Sequence, residues 1–306
     1  MAIKLKSVSL AFGLQGLSFL ALLVSVFFAL SVLSGCMAEP KGSQNLTNAT
    51  VGAIKVVVSI APFKEWVKEV GKQRVDVHIL IPPGKEPHTF DPTPRELMEF
   101  RDAKVFVKNG AGLEFWADKV LAVNPDIRIV DISKGASLIA LNDSGSYDPH
   151  VWMSLKNAEN AVALIKEALV AIDPANKAFY DENAAAYISN LKGADKAIRQ
   201  KLSQKKIKEF IVFHPALAYF AKDYGLKQVE IKGKGKEPSP KQIKKVVDIA
   251  RDKNITVVFV EPQFDPSKAK AIANEINGTV GILNPLAEDY LNNIKRIADK
   301  LMRATG

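Results

Sequence analysis

Four histidines occur in the 306 residues, and three of them stand beside proline: Pro87-His88, Pro149-His150 and His214-Pro215. Proline fixes its own φ and restricts the residue before it, so each imidazole sits at a corner of constrained backbone. Imidazole nitrogen is a good donor to zinc, and three imidazoles plus one oxygen complete a tetrahedral shell with bonds of about 2.0–2.2 Å. Any one of these histidines alone reads as an ordinary polar corner; three in the same proline setting point to one shared metal site. No His-x-His or His-Glu-x-x-His element is present, so the site has to be assembled from distant segments. Protons compete for free imidazoles near pH 6.5, so metal affinity is expected to fall on acidification. The fourth histidine, inside Val77-His78-Ile79, reads as a structural strand residue.

The segments that must bring such corners together alternate between short β-branched runs and stretches of helical spacing. Strands are expected over 55–60, 75–81, 105–108 and 127–132, with helices over 63–70, 94–101 and 113–123 between them. The scheme repeats later, with strands at 210–213, 228–231, 256–260 and 279–283 and helices at 216–224, 240–252, 268–276 and 289–302. This is an α/β chain of two lobes, 54–172 and 206–306, each a mainly parallel sheet flanked by helices. In such sheets ligands collect beyond the carboxyl ends of the strands, where the proline-histidine corners fall. Between the lobes, Asp173-Pro174 starts one long helix reaching to about residue 205, an acid followed by proline at the first turn. Tyr180, Ala184, Tyr187, Leu191, Ala194, Ile198 and Leu202 recur along it at steps of three or four, marking one buried face. Lobes joined by one rigid helix should hinge little. Gly193 within it reads as a close packing contact rather than a bend.

Apolar residues make up 47% and charged residues 25% of the chain, which excludes wholesale disorder and a multi-span membrane protein. Residues 7–35 carry no charge and follow Lys4 and Lys6, the pattern of an export signal. Leu33-Ser34-Gly35-Cys36 looks like the lipobox of a bacterial or archaeal lipoprotein, with cleavage before Cys36 and lipid on its thiol; retention of residues 7–35 as an anchor is the alternative. Residues 36–53 then form a lipidated, flexible tether. Cys36 is the only cysteine, so no internal disulfide can form. Loss of residues 1–35 lowers the net charge from +9 to +7, and no long block of one sign remains, which disfavours a nucleic-acid partner. Gly233-Lys234-Gly235-Lys236 lacks the spacing of a phosphate-binding loop.

GKEPHTFDPTP (84–94), NGAGLEFW (109–116), DPHVWMS (148–154), FHPALAYFA (213–221), EPSPKQI (237–243) and FVEPQF (259–264) stand in this order. The set resembles the zinc- and manganese-binding solute-binding proteins of metal ABC importers, across essentially all of 54–306. The resemblance implies an extracytoplasmic, membrane-anchored and monomeric protein that is not an enzyme. It would bind a divalent ion, zinc before manganese, and deliver it to a permease driven by a cytoplasmic ATPase. It maps the metal ligands onto His88, His150 and His214, and a histidine at the third position is similar to the zinc-type sites. Where many members place an aspartate after the last strand, this chain has Asn284-Pro285. The fourth donor is therefore Asn284, water, or Glu261 from the end of the neighbouring strand. Glu86 and Asp91, flanking His88, read as acceptors for its imidazole or as helix caps. Trp116, Trp152 and Phe264 read as core. Two other functions fit parts of the pattern: an exported zinc hydrolase with Glu261 as general base, and a surface adhesin.

Overall fold

The computed structural model describes residues 52–141, 145–204, 206–232 and 238–304. In the first lobe, strands β1 (Ile54–Val58), β2 (Val75–Ile79), β3 (Val105–Lys108) and β4 (Arg128–Asp131) form a parallel sheet in the order β2-β1-β3-β4. Helices α1 (Pro62–Gly71), α2 (Pro94–Leu97) and α3 (Asp118–Val123) connect them, and α4 (Leu155–Ile172) follows. Helix α5 (Lys177–Ser203) leads into the second lobe, where β5 (Glu209–Val212), β6 (Lys227–Glu230), β7 (Val257–Val260) and β8 (Thr279–Ile282) repeat the parallel arrangement as β6-β5-β7-β8. Its helices are α6 (Ala218–Tyr224), α7 (Pro240–Asp252), α8 (Ser267–Glu275) and α9 (Tyr290–Arg303). Both sheets therefore reverse their winding between the first and third strands, the point at which an α/β sheet opens a crevice for ligands.

Local chemistry explains the departures from the expected elements. The helix expected over 113–123 is confined to α3, because the Glu114 carboxylate turns back to accept the Asn109 and Gly110 amides at 2.7 and 2.9 Å. Gly110 adopts φ +75°, and a Cβ there would lie 2.0 Å from Asp131 Oδ1, so this turn requires glycine. Helix α4 has no counterpart among the expected elements, although Ser154 caps it by accepting the Asn157 amide and Ala158, Ala161, Val162, Ile165 and Leu169 line its buried face.

The long helix begins with a 3-10 turn, Pro174–Asn176, ahead of α5. Asp173 accepts the Asn176 amide and the Tyr180 hydroxyl, each at 2.8 Å. The 27 residues of α5 span about 40 Å at 1.5 Å per residue. All seven residues of the expected stripe are buried. Gly193 differs from expectation: a Cβ there would meet nothing within 4 Å, so it is not a close packing contact.

One apolar core runs from the first sheet through α1, α4 and α5 into the second lobe, where it takes in Phe210 and Val212. Ile211 and Phe213 point the other way, into a second cluster with Val246, Val258 and Ile272. Strand β5 thus places alternate residues in two cores, as the period of two dictates. Polar ties cross the same junction. Glu65 of α1 accepts the Tyr187 hydroxyl of α5 at 2.6 Å and the Leu291 amide of α9 at 3.2 Å. Among the described residues no helix is long and apolar enough to cross a membrane.

Candidate metal centre

His88 sits in a 3-10 turn, Pro87–Thr89, beyond β2, and its amide donates to Glu86 Oε1 at 3.1 Å. His150 opens the turn that leads into α4. Its amide and its Nδ1–H both donate to Asp148 Oδ1, each at 2.9 Å. That pair of bonds fixes the tautomer and leaves Nε2 as a bare lone pair. The corner is held from the first sheet as well, since the Asn109 side-chain amide donates to the Pro149 carbonyl at 2.7 Å. His214 follows β5 directly.

These three corners, 62 and 64 positions apart in sequence, bring Nε2 of His88 to 3.2 Å and Nε2 of His214 to 3.0 Å from Nε2 of His150. Ring centroids lie 5.0–5.2 Å apart at steep interplanar angles, so the rings converge on a point and do not stack. A tetrahedral zinc with bonds of about 2.0–2.1 Å needs its nitrogens roughly 3.3 Å apart. The observed separations are close to that edge length. Among the described residues, His88, His150 and His214 form the set of His, Cys, Asp and Glu whose donor atoms all lie within 4.8 Å of one another.

The remaining candidates fall differently. Asn284 turns its amide oxygen onto the Leu286 amide at 3.0 Å, while Pro285 and Leu286, not Asn284, line the cavity. A two-residue turn onto its own backbone thus engages the Asn284 oxygen expected as the fourth donor. Glu261, beyond β7, does line the cavity and is 4% exposed. Asp91 is an exposed partner of Lys119 and holds no imidazole. His78 is a surface residue 3.1 Å from Asp76. Trp116 and Trp152 are core, but Phe264, expected as core, lies against the site with its ring 5.1 Å from that of His214 and Lys232 Nζ 4.8 Å from its own centroid. Cys36 and the 233–236 loop lie outside the described residues.

Burial lowers the His88 imidazole to about 4 and the His214 imidazole to about 2, with electrostatic repulsion between the clustered rings, His150 foremost, the second cause in each case. Burial raises the Glu261 carboxyl to about 8. Proton competition for His88 and His214 in the assembled site therefore sets in below the pH expected for free imidazoles. In the unfolded chain both rings take up protons near pH 6.5. These two groups leave the stability of the metal-free fold untouched above that pH and reduce it as pH falls from 6.5 toward 4. A His88→Gln/His214→Gln double variant is expected to flatten the fall in melting temperature of metal-free protein between about pH 6.5 and 4.5. The same slope in both proteins would refute the burial of neutral rings.

Residues 56–304 match the sequence profile of ZnuA, described as zinc-uptake complex component A, periplasmic. The chain is 34% identical over 251 residues to the high-affinity zinc uptake system protein ZnuA of Bacillus subtilis, covering 76% of this chain and 78% of that protein. It is 28% identical over 281 residues to the manganese-binding lipoprotein MntA of Halalkalibacterium halodurans, covering 88% and 92%. A crystal structure of ZnuA superposes with a TM-score of 0.81 at 35% identity, over 83% of this chain and 100% of that one. The matched profile takes in both lobes, the helix between them and all three converging histidines, and the chain belongs to the ZnuA family of zinc-uptake components.

Proposed function

We propose that this protein captures zinc outside the membrane with His88, His150 and His214 and passes it to an ABC permease driven by a cytoplasmic ATPase. The observation that carries this reading is the convergence of three imidazoles from two lobes, with Nε2 of His88 and of His214 at 3.2 and 3.0 Å from Nε2 of His150. Zinc is favoured over manganese because imidazole is the borderline donor that zinc takes, whereas manganese sites are richer in carboxylate and water. The family relationship supports uptake in place of turnover, and the zinc and manganese names of the relatives both fit an ion held as cargo. In this reading the lobes are 54–172 and 206–306, the connector is 173–205, and the protein works as a monomer. Residues 1–35 are removed, Cys36 carries lipid, and 36–53 tethers the binding unit to the outer face of the membrane.

One experiment with two arms tests this. Residues 37–306, freed of metal, are titrated with zinc and with manganese while melting temperature and molecular mass are followed. One zinc per monomer and a rise in melting temperature larger than that from manganese are expected; absence of any zinc-dependent rise defeats the reading. In the second arm the full chain is expressed in a bacterial host. Wild type is expected in the membrane fraction and Cys36→Ser in the soluble or secreted fraction with zinc binding intact. Equal membrane retention of both would show that residues 7–35 remain as an anchor.

A further inference from the structure

Resting on the zinc-capture reading, we infer that Glu261 supplies the fourth donor of the metal site, closing over the ion from the second lobe. The parallel register of β5 on β7 pairs Val212 with Phe259, and two residues further on this register sets His214 across from Glu261. Val212 and Phe259 both face the main core, so by alternation His214 and Glu261 leave the sheet on that same side. Glu261 lines the cavity together with all three histidines. Its Oε2 is buried and has no hydrogen-bond partner, while the amides of His214 and of Glu261 itself hold the carboxyl group. A buried carboxyl oxygen without a partner is rare in folded proteins and costly unless something arrives to satisfy it. A divalent cation held by three neutral imidazoles supplies that partner; the carboxyl gives up its proton to solvent on binding, and the resulting carboxylate reduces the charge of the complex.

Two competing oxygens are already engaged. Asn284 Oδ1 accepts the Leu286 amide. Glu86 Oε1 accepts the His88 amide and stands 3.9 Å from His88 Nε2 on the rim, where its side chain is 25% exposed. Glu261 stands outside the set of donors that lie within 4.8 Å of one another, so it joins the three histidines by rotating its carboxyl group inward in the loaded state.

The test uses cobalt as a spectroscopic stand-in for zinc, on residues 37–306 of wild type and of Glu261→Gln, Glu86→Gln and Asn284→Ala. Gln keeps an oxygen for the His214 amide, so the metal-free melting temperature of Glu261→Gln is expected to stay at or above that of wild type. Glu261→Gln is expected to shift the cobalt ligand-field bands and weaken zinc by on the order of 100- to 1,000-fold, a direct donor's share of a four-donor site; the other two variants should keep the wild-type spectrum. A zinc-minus-apo infrared difference spectrum of wild type should show a carboxylate stretch that Glu261→Gln lacks. An unchanged cobalt spectrum in Glu261→Gln, or a shift in Glu86→Gln or Asn284→Ala instead, overturns the inference while leaving the three-histidine site standing. No cobalt ligand-field bands and no zinc-dependent rise in melting temperature in wild type would overturn the site itself.

Discussion

His150→Ala is expected to weaken zinc binding by about 100- to 1,000-fold and to remove most of the zinc-induced rise in melting temperature. Structural zinc sites gain roughly 10–16 kcal/mol from four donors, or about 2.5–4 kcal/mol apiece, and 1.4 kcal/mol is tenfold in affinity. His150 deserves the largest share because both close approaches, to His88 and to His214, are made through its Nε2. It is also the most firmly held of the three, with Asp148 accepting from its amide and its ring. Asp148→Asn keeps the shape but no longer enforces the tautomer, and a smaller loss of about 10- to 100-fold is expected there. Competition titration with a chromophoric chelator reads both. Zinc affinity within threefold of wild type in His150→Ala would falsify the assignment of the site.

Trp152→Ala is expected to cost about 3–5 kcal/mol of folding stability, the range for removing a buried aromatic from a packed core. The ring is 2% exposed and lies edge-on to Phe63 at 6.4 Å. Its Nε1–H donates to the Pro285 carbonyl at 2.9 Å, and its own carbonyl accepts the Tyr290 hydroxyl at 2.7 Å, so one residue ties the His150 corner to the second lobe. Trp152→Phe keeps most of the apolar area but strips the Pro285 carbonyl of its partner, at about 1–3 kcal/mol. Urea unfolding of metal-free protein separates the two variants. A Trp152→Ala loss below about 1 kcal/mol would mean that the ring is not part of the packing that positions the site.

The parts of the structure written in local pattern were readable from the sequence. The stripe from Tyr180 to Leu202 repeats at helical spacing without interruption, and it is the buried face of α5. The three histidines were marked by their prolines and by their position beyond strands. Other parts depend on contacts that no spacing announces. Glu114 captures two amides five and four residues back and so replaces the start of a helix with turns; its sequence neighbourhood still looks helical. Helix α4 carries its signal in Ser154 and the apolar steps after it, but that signal overlaps the Asp148–Ser154 segment, whose residue types read as a ligand corner. Asn284 was attractive because its position suited a ligand, and only the fold shows that Leu286 claims its oxygen. The bare oxygen of Glu261 is a property of everything around it, so residue type and order alone left three donors open.

The unbroken apolar core shared by the lobes also constrains how the cargo can leave. Wetting even about 400 Å² of that interior would cost roughly 10 kcal/mol at 25 cal/mol per Å². A jaw-like parting of the halves is therefore a poor exit route for the ion. Opening of the site is therefore expected in the short segments around its mouth, such as the turn carrying Glu261 and Phe264, and not in the body of the protein.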